Sequence, residues 1–428
     1  MIPMNEDILS FIWRFQYFDS SNLLTDGGDE LSISKTGIRN TNAGPDFTEA
    51  RLIIDGRTWA GNIEIHTKSS DWQLHRHQID NAYESVILHV VYENDLAIEN
   101  KSGQAIPTLI LKGVFPELLF ENYVKMLAAK ESFPCRPQIK ELEPIIVHTF
   151  LARLVVERLE QKTLEVFAKL EDLKGNWYDT FYFFLARNFG FKVNALPFEL
   201  LANALPLQLL NKHSDSAVQV EAMVFGQAGF LENTEVDGEY AQLLKAEYKF
   251  LKLKYNLKPI DVSVWKFLRM RPASFPTIRL AQFAALHAQS NQLFAKILKA
   301  QDLKAICKLF TDLPVSSYWQ THYHFRKPAS EMQVQLGKKS VENILINTVC
   351  VFLFAYGKYT AQAHLIDRAM DFLERIPVEH NAVVNQYVEA GLKIDTAFAS
   401  QSILQLNKYY CAQKKCLNCG IGIKILGR

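Results

Sequence analysis

The chain has 428 residues, which is too long for a single hydrophobic core, so we expect two or three domains. Hydrophobic residues make up 48% of the chain and charged residues 22%, as is ordinary for a soluble globular protein. Residues 1–7 carry acids where a signal peptide needs bases, and the longest apolar run, residues 348–356, is far shorter than a membrane span. These features argue against secretion and membrane insertion, and we expect a cytoplasmic protein with no membrane partner.

The net charge of +1 hides an uneven distribution. Residues 1–130 contain 11 basic and 18 acidic side chains, whereas residues 241–300 contain 11 basic and two acidic ones. A positive excess of this size predicts an anionic partner for the second region. Three of the six cysteines crowd near residue 415, which in a reducing compartment indicates a metal site before a disulfide.

The first 100 residues or so have the pattern of a helix followed by a sheet. Residues 7–18 have helical periodicity, and residues 31–38 are predicted to form the first strand. Two further strands, residues 50–54 and 57–67, flank Asp55-Gly56, which is the strongest short signal for a hairpin turn.

Polar side chains gather at the start of this hairpin. The turn-rich loop over residues 40–47 delivers Asp46 to the first strand, and Glu64, His66 and Lys68 share one face of the second strand because side chains alternate. We expect Asp46 to lie close to Glu64. Two carboxylates at one point are the minimal requirement for a divalent cation, so the pattern predicts a site for Mg²⁺ or Mn²⁺.

These residues resemble the PD-(D/E)XK nuclease superfamily, in which a Pro-Asp pair starts one strand and an acid-x-Lys triplet lies on the next. Pro45-Asp46 and Glu64 match the motif, whereas His66 stands at the lysine position and Lys68 follows on the same face. The resemblance implies a restriction-endonuclease-like domain in which Asp46 and Glu64 bind the metal ion. Lys68 would stabilise the attacking water and the phosphate charge, and His66 would be a metal ligand or general base.

Other polar residues near the hairpin have two interpretations each. Glu6 is a candidate ligand, because nucleases of this superfamily often recruit an acid from the first helix, but it also complements the helix dipole. Glu49 is a further acid within reach of the cleft. Four histidines fall within 24 residues: His66, His75, His77 and His89. Histidine and carboxylate ligands together would favour manganese, iron or zinc, whereas His89 in an apolar strand is best explained as a hydrogen-bonded core residue.

A second resemblance covers nearly the whole chain. It is to an uncharacterised bacterial family, a domain of unknown function common in Bacteroidetes. It rests on four phrases, at residues 42–47, 61–66, 69–72 and 416–419. The family supplies no function, so the chemistry has to be inferred from the residues.

From residue 115 onward the pattern changes to helical periodicity with few strand signals. The predicted helices span residues 143–173, 177–189, 217–225, 240–257, 278–298, 341–356, 361–376 and 396–412. The sequence has no convincing repeat period and no G-x-x-x-x-G-K-[ST] phosphate loop, so neither a solenoid nor a motor ATPase is predicted.

The basic region interleaves lysines with aromatic residues and ends in a proline-braced loop that opens a helix. Arg269, Arg271 and Arg279 are predicted to seat phosphate groups there, because arginines at a helix N-terminus bind phosphate well. Exposed aromatic rings beside basic side chains would suit single-stranded or flexible nucleic acid. The alternative for the lysines, such as Lys249 and Lys252, is a solvated helix face whose aromatic residues are buried.

Cys411, Cys416 and Cys419 have the spacing C-x4-C-x2-C, which supplies three of the four thiolates of a zinc site or an iron–sulfur cluster. Cys135 is the natural fourth ligand. Iron–sulfur nucleases of the PD-(D/E)XK superfamily resemble this arrangement, although their distant cysteine precedes the nuclease core and Cys135 follows it. The alternative is that the thiols are free on a small C-terminal hook.

Four further residues complete the inventory of potential ligands. His322 and His324 form a second His-x-His pair that could supply a zinc ligand. Cys307 and Cys350 lie in apolar helical patterns and are predicted to be core residues.

The predicted fold is α+β, with a restriction-endonuclease-like mixed sheet domain over residues 1–130 and an all-helical basic domain over residues 131–428. A break of the helical domain into two lobes would fall near residue 235. The predicted function is metal-dependent phosphodiester hydrolysis on nucleic acid, with DNA expected rather than RNA. Two alternatives remain open: a catalytically inactive nucleic-acid-binding protein that keeps the fold, and a histidine–carboxylate hydrolase acting on another substrate.

Overall fold

The protein is described by a computed structural model that covers residues 3–232, 238–325, 327–331 and 333–427. The chain folds into two compact units. The first unit comprises Met1–Phe150, Gln386–Leu392 and Leu406–Arg428, and the second comprises Leu151–Asn385 and Lys393–Gln405. The sequence predicted a domain boundary at residue 130, whereas the first unit continues to Phe150 and also includes the segment Leu406–Arg428. The lobe break expected near residue 235 lies outside the described residues.

A mixed sheet forms the centre of the first unit. Its strands are β1 Leu23–Leu24, β2 Glu30–Lys35, β3 Ile38–Arg39, β4 Phe47–Ile54, β5 Arg57–Lys68, β6 Val86–Glu93 and β7 Thr108–Ile110. The sheet order is β1-β2-β4-β5-β6-β7, with β3 paired to the start of β4. Strands β1 to β5 pair antiparallel, whereas β6 is parallel to β5 and β7 is parallel to β6. The expectation of a mixed sheet at the N-terminal end is confirmed.

The remaining elements are mostly helices, which confirms the coarse prediction of a sheet followed by helical structure. They are α1 Glu6–Phe15, α2 Asp71–Leu74, α3 Glu117–Ala128, α4 Pro144–Asp172, α5 Trp177–Phe189, α6 Ala195–Ala204, α7 Leu207–Lys212, α8 Ala217–Gln227, α9 Glu239–Tyr255, α10 Pro276–Gln289, α11 Leu293–Lys299, α12 Leu303–Lys308, α13 Lys338–Ile344, α14 Cys350–Tyr359, α15 Ala363–Arg375, α16 Ala382–Glu389, α17 Ala397–Leu406 and α18 Gly420–Leu426. A two-stranded ribbon, β8 His322–His324 with β9 Lys327–Pro328, lies in the second unit.

The hairpin predicted around Asp55-Gly56 is confirmed. Asp55 has φ 47° and Gly56 has φ 70°, and Ile54 pairs directly with Arg57. Two consecutive residues with positive φ form the turn whose twist matches that of antiparallel strands, and Asp-Gly adopts it readily. The turn therefore fixes the register that brings the start of β4 beside the second half of β5.

One helix prediction was wrong. Residues 278–298 were expected to form a single helix, but α10 ends at Gln289 and α11 begins at Leu293. Gln292 between them has φ 54°, a left-handed conformation that interrupts helical hydrogen bonding. The apolar pattern continues through both helices and therefore does not reveal the break between them.

Aromatic side chains fill the core of the second unit. Phe181 stacks on Phe294 with ring centroids 5.0 Å apart, and Trp177 lies edge-on to Tyr356 at 4.9 Å. The helical stretch Lys338–Tyr359 is long and apolar enough to cross a membrane, but 72% of its apolar window is buried inside the fold. That burial is typical of the core helix of a globular unit.

We expect Gly61→Ala to destabilise the first unit, because β5 and β6 approach each other closely at this residue. A Cβ atom on Gly61 would lie 2.4 Å from Cγ2 of Ile87 and 2.6 Å from the carbonyl oxygen of Ser85. The strands would have to move apart, at a cost of about 1–3 kcal/mol in the free energy of unfolding. Thermal and urea unfolding measured by near-UV circular dichroism would detect this loss.

Gly27→Ala is the matched control in the same unit. Its added Cβ would meet Oδ2 of Asp29 at 3.5 Å and Oγ1 of Thr25 at 3.6 Å, which are ordinary contacts. We expect this variant to stay within about 0.5 kcal/mol of wild type. Equal stability of the two variants would contradict the close approach of β5 and β6.

Candidate metal centre

The second half of β5 places two titratable side chains in the interior of the first unit. Glu64 is 6% exposed and His66 is 1% exposed, and both lie on the same face of the strand. Asp46, just before β4, is joined to β5 by two hydrogen bonds. Its backbone N–H donates to Oε2 of Glu64 at 3.0 Å, and its Oδ2 accepts from the backbone N–H of Ile65 at 3.1 Å.

The segment after β5 folds back over the end of the strand. Asp71, the first residue of α2, accepts hydrogen bonds from Oγ1 of Thr67 and from the backbone N–H of Lys68, both at 3.0 Å. Trp72 is fully buried and donates from its indole N–H to the carbonyl oxygen of Glu99 at 3.1 Å. These contacts fix the short helix α2 against the sheet and so determine where the following histidines lie.

His75 and His77 meet His66 at this point. Arg76 between them has φ 63°, a left-handed conformation that reverses the chain and lets both neighbouring side chains turn toward the sheet. Nδ1 of His75 lies 3.0 Å from Nε2 of His66. Each of the three histidines offers one ring nitrogen such that all three atoms lie within 4.8 Å of one another.

Glu64 adds a carboxylate oxygen to the three imidazoles. Its Oε1 lies 3.3 Å from Nε2 of His77 and 3.6 Å from Nε2 of His66. Nε2 of His77 is buried, yet it makes no hydrogen bond within the described residues. Ligands at about 2.05 Å from a tetrahedral metal ion stand about 3.3 Å apart, which is the spacing seen here. The three imidazoles therefore converge as metal ligands do, and Glu64 lies within reach of two of them.

A second layer of residues holds these histidines in place. Nδ1 of His66 lies 2.8 Å from Nε2 of His89, the buried histidine of β6. Tyr83 stacks on His77 at a ring-centroid distance of 3.7 Å, and Trp72 lies edge-on to His77 at 5.3 Å. If Nε2 of His66 binds a metal ion, its Nδ1–H donates to His89, an arrangement that is common for metal-bound histidine. His89 is thus both a core residue and a partner of His66.

Burial decides the protonation states in this cluster. Burial, followed by the nearby His77 and His75, lowers the pKa of His66 to about 3, so its imidazole is neutral at physiological pH. Burial and then the charge of Glu64 raise the pKa of Asp46 to about 7. A neutral imidazole is ready to bind a metal ion, and Arg39 offsets only part of the rise in the pKa of Asp46.

The other predicted residues of this region have different surroundings. Glu6 opens α1, where burial raises its pKa and the nearby His75 lowers it. Lys68 is exposed at the end of β5. Glu49 is exposed, has φ 57° and forms an ion pair with Lys35 at 3.1 Å, so it is engaged elsewhere on the sheet.

The three arginines predicted to seat phosphate do not share one surface. Arg269 and Arg271 are exposed in the loop before α10, but Arg279 lies within α10 and is only 8% exposed. Its guanidinium donates to Oε1 of Gln282 and to Oγ of Ser340, both at 3.0 Å. The expectation that Arg279 belongs to the exposed loop was wrong, because α10 is buried on all sides along most of its length.

The basic helix α9 is partly a solvated surface, as the alternative interpretation expected. Lys249 and Phe250 are exposed, whereas Lys252 forms an ion pair with Glu232 at 2.7 Å. Trp265 is buried and donates to the carbonyl oxygen of Ala228. Within this region, then, only some of the aromatic residues are available for stacking.

The structure brings the four predicted cysteine ligands into the first unit, where they interact with one another. The histidine alternatives belong to the second unit, in which His322 stacks on Tyr318 with ring centroids 4.1 Å apart. Cys350 is fully buried in the second unit, as predicted for a core residue, and Cys307 is half-buried.

The sequence identified His75 and His77 as possible ligands but did not indicate that they belong to the site of Glu64 and His66. The signal was present in the His-x-His spacing shortly after Glu64 and His66. The sequence does not reveal the left-handed conformation of Arg76, on which the convergence of the two histidines depends.

We expect Asp46→Asn to stabilise the metal-free protein above pH 7. The pKa of Asp46 is raised to about 7 in the folded state, so its charged form destabilises the fold. This loss of stability begins near pH 4, the approximate pKa of an unfolded aspartate. It increases up to the pKa of Asp46 in the folded protein and is constant at higher pH. In EDTA at pH 8 the variant should gain about 1–4 kcal/mol, whereas near pH 4 the two proteins should be equal.

Glu30→Gln, which changes an exposed carboxylate at the start of β2, is the control and should show no such pH-dependent gain. Saturating Mn²⁺ should remove the advantage of Asp46→Asn, because a bound cation stabilises the wild-type carboxylates. A variant less stable than wild type in EDTA at pH 8 would contradict the assigned environment of Asp46.

Comparison with the curated proteins and with the solved structures gives no match. A family model described as "Protein of unknown function (DUF2851)" matches residues 6–382. The matched range includes every residue of the candidate metal centre, and it agrees with the resemblance to an uncharacterised family seen in the sequence. The chain belongs to this family of proteins of unknown function, DUF2851.

Proposed function

We propose that the chain is a metal-dependent phosphodiesterase that hydrolyses nucleic acid at the centre formed by Glu64, His66, His75 and His77. The observation that carries the proposal is the convergence of one carboxylate and three imidazoles, with Asp46 hydrogen-bonded to the same carboxylate. A hydrolytic metal site needs such a ligand set where substrate can reach it, and the exposed His75 marks the solvent side.

The order of elements in the first unit supports a PD-(D/E)XK-like architecture. Helix α1 precedes the antiparallel strands β2, β4 and β5, and a crossover containing α2 leads to β6, which is parallel to β5. Pro45-Asp46 stands just before β4 and Glu64 lies on β5, as in the nuclease motif that the sequence resembles. We therefore propose a restriction-endonuclease-like fold in which His66 takes the place of the usual lysine.

The ligand chemistry favours manganese, iron or zinc over magnesium. Imidazole nitrogens suit these transition metals, whereas magnesium is usually bound by carboxylates and water. Of the two ions expected from the sequence, Mn²⁺ is the one that fits. Four protein ligands complete a tetrahedral zinc ion, but manganese and iron accept more, which leaves positions for a water and a phosphate oxygen. An ion held by these residues would lower the pKa of a bound water and withdraw charge from the phosphate.

The remaining residues of the site have separate roles in this proposal. Asp46 uses Oδ2 to accept from Ile65, so its other oxygen can hold the attacking water or a second cation. Glu6 at the start of α1 adds a further carboxyl group to the same side. Lys68 is exposed, and we propose that it contacts the phosphate backbone of the substrate beside the metal ion.

Exposed basic residues of the second unit support a nucleic acid as the substrate, and we propose DNA. The exposed residues of the basic region include Lys249, Lys254, Lys258, Lys266, Arg269 and Arg271. Phe250 is 58% exposed in the same region and offers a ring on which a base could stack. Phosphates attract such a surface regardless of sequence.

Two other functions are each favoured by one observation. The three-histidine set is also suited to a hydrolase of a different ester or amide, in which case nucleic acid would neither bind nor be cleaved. The histidine at the lysine position favours a protein that binds nucleic acid without cutting it. Binding that depends on salt, without cleavage in any divalent ion, would identify this second case.

We expect Mn²⁺-dependent cleavage of single-stranded or duplex DNA that Glu64→Gln and His77→Ala reduce by about 100-fold or more, because each removes a metal ligand. A gel assay with Mn²⁺, Zn²⁺ and Mg²⁺, run beside metal analysis of the same samples, measures this. Both variants should also hold less metal than wild type.

The matched controls are Glu49→Gln and His148→Ala, which change an exposed carboxylate of β4 and an exposed histidine of α4. Both should cleave at the wild-type rate. Cleavage that survives Glu64→Gln would remove the metal centre from the reaction, and metal binding without cleavage would favour one of the other two functions.

The second unit allows a separate binding prediction. The double variant Arg269→Ala, Arg271→Ala should weaken DNA binding and lower the slope of log affinity against log salt by about two units, since each lost phosphate contact removes about one. Fluorescence anisotropy at several salt concentrations measures the slope. Lys338→Ala with Lys393→Ala, whose side chains are 84% and 90% exposed outside the basic region, is the control. An unchanged slope would show that the arginine loop does not contact DNA.

A further inference from the structure

Four cysteines of the first unit lie together in its interior without a disulfide. Cys135, Cys416 and Cys419 are 5–6% exposed, Cys411 is partly buried, and all four are free thiols. They come from distant parts of the chain, since Cys135 follows α3 and the others lie between α17 and α18. None of them takes part in the metal centre formed by the histidines.

The local backbone directs each cysteine by a different tight turn. The carbonyl oxygen of Cys135 accepts from the N–H groups of Gln138 and Ile139 at 3.1 and 3.0 Å. Cys411 ends a π-helical turn that continues α17, and single π-helical turns are frequent at functional sites. Cys416 opens a short 3₁₀ turn and Cys419 caps α18, with the N–H of Cys419 donating to the carbonyl oxygen of Cys416.

Tyr387 joins the two parts of this cluster. Its ring stacks on Phe133, two residues before Cys135, with centroids 4.1 Å apart and planes only 7° from parallel. Its hydroxyl group hydrogen-bonds to the side chains of Asn407 and Cys411. One aromatic residue therefore packs beside the loop of Cys135 and contacts the thiol of Cys411 directly.

Every pair among the four sulfurs interacts electrostatically. Cys135 interacts with Cys411, Cys416 and Cys419, and these three thiols also interact with one another. The N–H groups of Ile421 and Gly422 also donate to the sulfur of Cys419, which lowers its pKa against the effect of burial. Hydrogen-bond donors aimed at a sulfur stabilise a thiolate, the form that binds metal.

We propose that Cys135, Cys411, Cys416 and Cys419 together bind an iron–sulfur cluster with four irons. Four buried cysteines that converge from separate segments, with donors pointing at two of their sulfurs, have the ligand count of such a cluster. The cluster would clamp the loop after α3 to the C-terminal segment.

The sulfurs do not have the close mutual spacing of a single zinc site. Zn–S bonds of about 2.3 Å place the four sulfurs of a tetrahedral site about 3.8 Å apart. Among the described residues, the ligand atoms that all lie within 4.8 Å of one another are those of His66, His75 and His77, and no three of the cysteine sulfurs are that close. A four-iron cluster binds each thiolate to a different iron and so holds the sulfurs further apart.

The test is the metal content of full-length protein prepared without oxygen and reconstituted with iron and sulfide. We expect about four irons and four acid-labile sulfides per chain, with a brown colour that bleaches on exposure to air. Cys416→Ser and Cys419→Ser should each lose at least about half of this iron. Cys307→Ser, which changes a half-buried cysteine of the second unit, should retain all of it.

Alkylation of the native wild-type protein avoids any failure of the variants to fold. Iodoacetamide followed by mass spectrometry should modify Cys307 well before the four cluster cysteines, and removal of iron should abolish the protection of Cys411. One zinc per chain without iron and sulfide, or no metal at all, would overturn the proposal. His77→Ala should keep the iron while losing cleavage, so the cluster and the hydrolytic centre can fail independently.

Discussion

The buried carboxylate of Glu64 is the constraint on which the first unit depends. A carboxylate with 6% exposure is costly unless a positive charge balances it, and its ion-pair partners within 4.0 Å among the described residues are His66 and His77. His66 is held neutral by burial, so it contributes a lone pair and no charge. The hydrogen bond from the N–H of Asp46 offsets only part of the cost. The Asp55-Gly56 turn, the left-handed Arg76 and the contacts of Asp71 together hold Glu64 and the histidines in this arrangement.

The histidines also form a chain of contacts from the core to the candidate metal centre, in which each ring influences the tautomer of the next. His89 meets Nδ1 of His66, and Nε2 of His66 meets Nδ1 of His75. Only one hydrogen can lie between each pair of nitrogens, so the tautomer of His89 sets which nitrogen of His66 carries a lone pair. Nδ1 of His89 is buried without a partner among the described residues, so no hydrogen bond at this atom fixes the tautomer of His89. A metal ion at Nε2 of His66 would select one of the two arrangements.

The sequence predicted local features well and long-range ones unevenly. The hairpin at Asp55-Gly56 follows from turn chemistry, and the shared face of Glu64 and His66 follows from strand alternation. The burial of Arg279 was not predictable from its neighbours, because a helix surrounded by protein shows no polar face that would mark its exposed side. The convergence of His75 and His77 depends on one backbone angle at Arg76, which the residue type does not favour. Cys135 was expected near the C-terminal cysteines because they supply only three of the four ligands that a metal site needs. Nothing in the sequence indicated that Tyr387 packs beside these cysteines.

The first unit is assembled from segments that lie far apart in the chain. Between Cys135 and Cys419 the ribosome adds 283 residues. At synthesis rates of 5–20 residues per second, about 15–60 s separate the emergence of the two residues from the ribosome. During that interval the sheet and its histidines are already outside, while the segment from Leu406 onward, which belongs to the same unit, does not yet exist. For that interval the loop around Cys135 therefore lacks the C-terminal segment of its own folded unit.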